Sequence, residues 1–374
     1  MKRSRMGRLA LVAATVAIAA TALTACSNGG SSSGGSTSGT SGASTAKVGL
    51  LLPDSVTARY AAADRPYFTA KMKSLCPKCS VLYANADADP AKQQQQAQSM
   101  LTQGAKVLVL DPQDGEAAAA IVAAAKQKNV PVVSYDRLID SADLSYYISF
   151  DNQKVGQLQA TALVDKLHAD GVPAGSGILM VNGAPTDPNA AQFKAGAHSV
   201  IDKSGYKVLA EYDTIQWLPS NAQSWAASQI TKFGTKIKGI YAANDGTAGG
   251  VVAAEKSGNF TPVPLTGQDA QLSGIQNILA GTQYMTVYKA VKPEAEDAAQ
   301  MAWALLNGKS WSGATTTVSP KNGGTVKAEL LQPVAVTAGN IESTVVKDQF
   351  YGSDSAAQIC TAAYTTACTK NGIK

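Results

Sequence analysis

Short apolar runs alternate with helical stretches along most of this chain, and that rhythm constrains the fold more than any single motif. Residues 48–53 read VGLLLP, a run of buried-strand type, and a polar-apolar helical stretch follows at about 64–75. Further strand candidates lie at 80–84, 107–110, 130–134 and 146–150, with helical stretches at 90–103 and 115–128 between them. Continuous apolar runs suit strands that are buried on both faces. Their alternation with helices predicts parallel sheets with right-handed crossovers. After Asp151 the rhythm restarts: helices at 153–167, 190–204, 221–233, 247–256 and 272–280 alternate with strands at 177–181, 207–212, 237–242, 263–266 and 284–287. Two similar α/β lobes, each a doubly wound parallel sheet, are the simplest account. Sequence order alone leaves open which lobe takes the helix at 293–306.

The chain begins differently. Lys2, Arg3, Arg5 and Arg8 precede an apolar run at 9–23, and Leu23-Thr24-Ala25-Cys26 matches the lipobox at which a signal peptidase cuts before a lipid-modified cysteine. A run this short, with basic residues before it and small ones after it, reads as a signal segment rather than a spanning helix. The expected mature chain therefore begins at Cys26, tethered by acyl chains to the outer face of the cytoplasmic membrane. Residues 27–45 are almost entirely Ser, Gly, Thr and Ala, the composition of a flexible tether. Gly30-Ser31-Ser32-Ser33-Gly34 has nucleophile-elbow spacing but lacks the strand-to-helix turn that this chemistry needs.

The remainder is long enough for two domains of ordinary size. Removing the four basic residues of the signal segment takes the formal net charge from +5 to +1, so charge implies neither nucleic acid nor a membrane surface as partner. Four cysteines remain besides Cys26. They allow three pairings, of which two local bridges, Cys76 with Cys79 and Cys360 with Cys368, close short loops and are favoured. A metal site is not expected, because no second Cys-x-x-C accompanies Cys76-Pro77-Lys78-Cys79 and the only histidines, His168 and His198, lie far from both pairs in sequence.

Open parallel sheets bind ligands at the carboxyl ends of their strands. Just past the strand candidates stand Arg59 and Tyr60, Asp136 and Arg137, Asp151 and Asn152, Asp187 and Asn189, Trp217, Asn244 and Asp245, Asp269 and Lys289. Carboxylates, amides, a guanidinium and an ammonium supply directional donors and acceptors, while Tyr60 and Trp217 offer flat apolar faces. A pyranose asks for that mixture, with hydroxyls around its equator and C–H patches on its faces. Asp and Asn in such positions also serve as helix caps and turn formers, Asp151, Asn152 and Asp245 above all. Trp217 also has a reading as a core residue.

Several ordered stretches carry a family resemblance: 48–53 (VGLLLP), Tyr135-Asp136-Arg137, 147–152 (YISFDN), Ala243-Asn244-Asp245, 247–250 (TAGG), 267–270 (GQDA), 281–283 (GTQ) and 286–289 (TVYK). Together they resemble the periplasmic monosaccharide-binding proteins of ABC importers, of the ribose/galactose/xylose type, and the xylose binders above all. The resemblance implies a type I periplasmic-binding-protein fold whose two lobes, joined by three hinge crossings, close over one sugar without covalent chemistry or cofactor. It implies lobes of 47–151 plus 289–326 and of 152–288 plus 327–374, with the third crossing between about Lys321 and Leu331. Arg59, Asp136, Arg137, Asp187, Asn189, Asn244, Asp269 and Lys289 would hydrogen-bond the sugar, with Trp217 on one face and Tyr60 on the other. The implied partners are a membrane permease and its ATPase subunit, and the implied binding protein is a monomer. The xylose binders carry Glu-Arg-Trp where this chain has Ala58-Arg59-Tyr60, so glucose, galactose and arabinose stand beside D-xylose as ligands.

Other classes fit less well. A glycoside hydrolase would use a carboxylate pair such as Asp136 and Asp269. A transcription regulator on this fold needs an N-terminal helix-turn-helix where this chain has its lipobox. Gly308-Lys309-Ser310 resembles the end of a P-loop, but Trp303 stands where its first glycine belongs. A surface receptor that reports sugar to a sensor kinase is the remaining alternative to import.

Overall fold

The computed structural model describes residues 45–374. The leader, Cys26 and the Ser/Gly stretch with its elbow-like spacing therefore lie outside the described residues.

The first lobe is built on a seven-stranded sheet. Strands β1 (Lys47–Leu52), β2 (Ser80–Asn85), β3 (Ala105–Leu110), β4 (Val132–Tyr135) and β5 (Tyr146–Phe150) pair in parallel, in the order β5-β4-β3-β1-β2. Between them run α1 (Arg65–Leu75), α2 (Pro90–Thr102) and α3 (Ala119–Gln127). A single π-type turn, Tyr60–Asp64, leads into α1; such turns are frequent at functional sites. Helix α2 shows local sequence setting a boundary: Asp89 accepts from the Ala91 and Lys92 amides and Pro90 fills the first helical position.

The chain then passes to a second sheet. Strands β6 (Gly177–Asn182), β7 (Lys207–Asp213) and β8 (Ile237–Ala242) pair in parallel in the order β7-β6-β8. Helices α4 (Asn152–Ala169), α5 (Pro188–Ile201), α6 (Pro219–Phe233), α7 (Asp245–Ser257) and α8 (Leu272–Ala280) surround it. Strand β9 (Thr286–Tyr288) carries the chain back, and α9 (Val291–Leu306) packs beside α1. Strands β10 (Thr316–Val318) and β11 (Val326–Leu331) then extend the first sheet beyond β5. Strand β12 (Val334–Val336) pairs antiparallel with β9, and the short helices α10 (Ser355–Ile359) and α11 (Thr365–Lys370) end the chain.

Each sheet is covered on both faces. Leu108, Leu110, Ile121 and Val122 are buried on one side of the first sheet, and Phe68, Met72, Ala298 and Met301 on the other. Around the second sheet, Leu163, Met180 and Phe193 share one core and Val181, Ile240 and Val251 another. A further core under the C-terminal segment joins Tyr288, Ile341, Val345 and Cys368. Both cysteine pairs are bridged, with Cα separations of 5.3 Å for Cys76–Cys79 and 5.9 Å for Cys360–Cys368.

Four expectations shift. Residues 263–266 form no strand, only a bridge between Leu265 and Ile240; Pro262 and Pro264 lack the amides that a ladder uses. The strand expected at 284–287 is β9, which starts at Thr286 and pairs antiparallel with β12. The helix expected from Gly115 starts at Ala119, after a turn in which Asp114 accepts from the Glu116 and Ala117 amides. Strand β11 stays paired with β5 through Leu331, so the third crossing falls at Gln332-Pro333, beyond the boundary expected at 326.

Candidate functional site

The carboxyl ends of both sheets face one cleft. Arg59 and Tyr60 follow β1, Asp136 and Arg137 follow β4, Asp187 and Asn189 open α5 after β6, Trp217 follows β7, Asn244 follows β8, Asp269 precedes α8 and Lys289 follows β9. All ten line a single narrow cavity of about 20 Å³, together with Thr57, Phe193 and Gln268. Asp136, Trp217 and Asp269 hold positive φ angles of 55°, 56° and 87°. Non-glycine residues adopt this conformation at a cost, and such strain gathers at ligand sites.

On the first-lobe side Arg59 is held from behind. Its Nη2 donates to Asp64 Oδ1 at 2.7 Å and to Glu294 Oε2 at 2.6 Å, and its Nε donates to Asp64 Oδ2 at 3.1 Å. Tyr135 Oη also donates to Asp64, at 2.5 Å. This leaves Nη1 facing the cavity, 3.5 Å from Asp136 Oδ1 and with no hydrogen-bond partner. Arg137 donates from Nη1 to the Pro112 carbonyl at 3.2 Å and from Nη2 to Tyr60 Oη at 3.1 Å. Burial alone would push the Asp136 carboxyl up, but Arg59, Lys289 and Arg137 hold it below the usual carboxylate range.

On the second-lobe side Asp187 does three jobs. Its Oδ1 accepts from the Asn189 amide at 2.8 Å, which caps α5, and its Oδ2 accepts from Trp217 Nε1 at 3.0 Å. The same Oδ2 lies 2.9 Å from Arg137 Nε across the cleft. Asn189 Nδ2 also crosses the cleft, donating to the Asp136 carbonyl at 3.0 Å. Asn244 Oδ1 caps α7 through the Thr247 amide at 2.8 Å. At the hinge, Lys289 Nζ sits 3.0 Å from Asp269 Oδ1 and over the rings of Phe150 and Phe193. Burial works to lower the Lys289 pKa, but Asp269 and Asp136 raise it overall, so the ammonium stays charged.

Three other sequence candidates stand outside the cavity. Asp151 caps α4 through the Lys154 amide and Asn152 donates to Ser149 Oγ. Asp245 is buried beneath the site, accepting from the Gln271 amide, Gln283 Nε2 and Thr286 Oγ1. Of the lining residues that sequence reasoning missed, Gln268 adjoins Asp269 within the 267–270 match and was therefore findable. Phe193 reads as an ordinary core position of α5, and Thr57 carries no signal. Among the described residues no group of three or more His, Cys, Asp or Glu side chains is placed to hold a metal ion.

Comparison with known proteins shows the family of the chain. The family model described as "Periplasmic binding protein domain" matches residues 48–310. The D-xylose-binding periplasmic protein of Escherichia coli is 40% identical over 83% of this chain and 92% of its own length. The multiple sugar-binding periplasmic receptor of Rhizobium radiobacter is 30% identical over 83% of this chain and 92% of its own length. The crystal structure of an ABC transporter solute binding protein from Clostridium phytofermentans, with bound β-D-glucose, superposes with a TM-score of 0.76 at 28% identity, covering 84% of this chain and 99% of that one.

Proposed function

The chain belongs to the periplasmic binding protein domain family, and from that premise we propose that it is the sugar-capturing protein of an ABC importer, with D-xylose as its ligand. One observation carries the reading: the cavity presents Arg59, Arg137 and Lys289 against Asp136, Asp187 and Asp269, a balanced set of three cations and three carboxylates, with the rings of Tyr60, Phe193 and Trp217 among them. Balanced charge favours a neutral ligand. Arg59 Nη1, Asn189 Oδ1 and Gln268 Oε1 are buried without hydrogen-bond partners, so donor and acceptor positions are both open to hydroxyls. Arg59 Nη1 and Asp136 together suit two neighbouring hydroxyls, and Trp217 suits a C–H face.

Sugar in the cleft adds contacts to both lobes and moves the population to a closed form, which a permease recognises. No bond is made or broken. The protein acts as a monomer, anchored outside the cytoplasmic membrane through lipid on Cys26. D-Xylose is favoured over glucose, galactose and arabinose by the 40% identity to a D-xylose-binding protein. The test is uptake of radiolabelled xylose by cells lacking this protein. Uptake should be lost, restored by the unaltered chain and not restored by Arg59→Ala; undiminished uptake in the deletion strain would overturn the import reading. In the same cells Cys26→Ser should release the protein from the membrane fraction, and retention there would overturn the anchor.

A further inference from the structure

Arg137 spends most of its donors on its own lobe. Nη1 goes to the Pro112 carbonyl and Nη2 to Tyr60 Oη, with Asp54 Oδ2 3.6 Å from Nη2. Nε stands between two carboxylates. It lies 2.9 Å from Asp187 Oδ2 on the second lobe and 3.7 Å from Asp111 Oδ1 on the first. With neither carboxylate does it form an aligned hydrogen bond.

Asp111 has no role in the site described above. It follows β3, its amide donates to the Leu51 carbonyl, and its side chain is fully buried. Neither of its carboxylate oxygens has a hydrogen-bond partner. A buried carboxylate held by one loose ion pair and no hydrogen bond is costly, and burial pushes this one well above its usual range despite Arg137. Asp111 is thus poorly satisfied in the form seen here, in which the lobes touch. The loop that it begins also carries contacts across the cleft: Thr186 Oγ1 to the Gln113 carbonyl at 3.5 Å, and the Gly115 amide to the Thr186 carbonyl at 3.3 Å.

We propose that Asp111 is the open-state partner of Arg137: as the lobes part, Nε leaves Asp187 and pairs with Asp111, so that closure requires exchanging one carboxylate for the other. Asp111 is then a positioning residue that sets the resting balance between open and closed forms. It lowers sugar affinity without touching sugar, because the apparent affinity scales with the fraction of protein that is competent to close. This rests on the two-lobe capture reading proposed above.

The test needs no sugar. Spin labels at Gln94→Cys and Ser224→Cys, on exposed positions of α2 and α6, report the lobe-to-lobe distance in the unliganded protein. Asp111→Asn should move the distance distribution toward the closed value and tighten xylose binding by up to about tenfold. Asp187→Asn should move the distribution the other way, and adding Asp111→Asn to it should produce no shift toward closure, since Nε then has no charged second-lobe partner to gain. A merely structural Asp111 would not show that dependence on Asp187. An unliganded distribution unchanged by Asp111→Asn overturns the proposal. Should that variant fail to fold, a distribution unchanged by Asp187→Asn overturns it equally. A protein that binds no monosaccharide but shows these shifts would refute the sugar reading and leave the exchange standing.

Discussion

Gly183 makes room for Trp217. A Cβ built on Gly183 would lie 2.1 Å from Cη2 and 2.2 Å from Cζ2 of the indole, and 2.7 Å from the Ala190 Cβ. Trp217 itself sits in a left-handed turn with Gln216, tied to Asp187 through Nε1. The ring proposed above to cover one face of the sugar thus depends on an absent side chain one strand away.

Gly183→Ala is therefore expected to push the indole out of place and weaken sugar binding by up to about tenfold, the worth of one well-placed aromatic contact. Titration calorimetry on the variant checks this. Its melting temperature separates a displaced ring from a disrupted core, and fluorescence reports the displacement once Trp225, Trp303 and Trp311 are replaced by Phe so that Trp217 alone emits.

Glu294 lies on α9, fully buried, and holds Arg59 at 2.6 Å. Glu294→Ala removes one arm of a buried ion network and leaves Arg59 undercompensated, at a cost of about 3 kcal/mol. Urea unfolding measures the loss. Sugar affinity should fall with it, because Nη1 is aimed by the bonds behind it, and Glu294→Gln, which keeps an acceptor, should recover part of both.

Stability should decline as pH rises from about 4.3, the ordinary pKa of a glutamate in an unfolded chain, to about 7. Burial raises the Glu255 carboxyl to about 7, against the smaller lowering effect of the Val263 amide. In that window the folded state holds more protons than the unfolded state, so raising pH favours unfolding until the folded group has also ionised. Asp245, raised by burial to about 8, and Glu329, raised by burial to about 7, act in the same direction. Urea unfolding at pH 5 and pH 7.5 should show the decline, and Glu255→Gln should make it shallower.

The architecture was legible because the central strands are short, largely apolar runs. Ile237–Ala242, despite Lys238, and Tyr146–Phe150 could hardly be read as anything else once helices flanked them. Residues 263–266 misled for the same reason: Val263 and Leu265 look like strand, yet the prolines beside them limit pairing to a bridge. Strand-end position brought Arg59, Asp136, Trp217 and Lys289 to notice, and the cavity gathers them with the other six. The layer behind them was not legible. Asp64, Asp111 and Glu294 look like ordinary polar residues of a turn, a loop and a helix, and only packing shows that they are buried against the two arginines. Asn244 shows a bland and a functional reading coexisting, since capping α7 occupies Oδ1 and leaves Nδ2 for a ligand.

The most direct test of the central claim is isothermal titration of the protein against xylose, glucose, galactose, arabinose and ribose. One-to-one binding, tightest for xylose, is the predicted result. Tighter binding of another of these sugars would keep monosaccharide capture and move specificity to the Ala58-Arg59-Tyr60 loop, whereas no heat with any of the five would contradict the account.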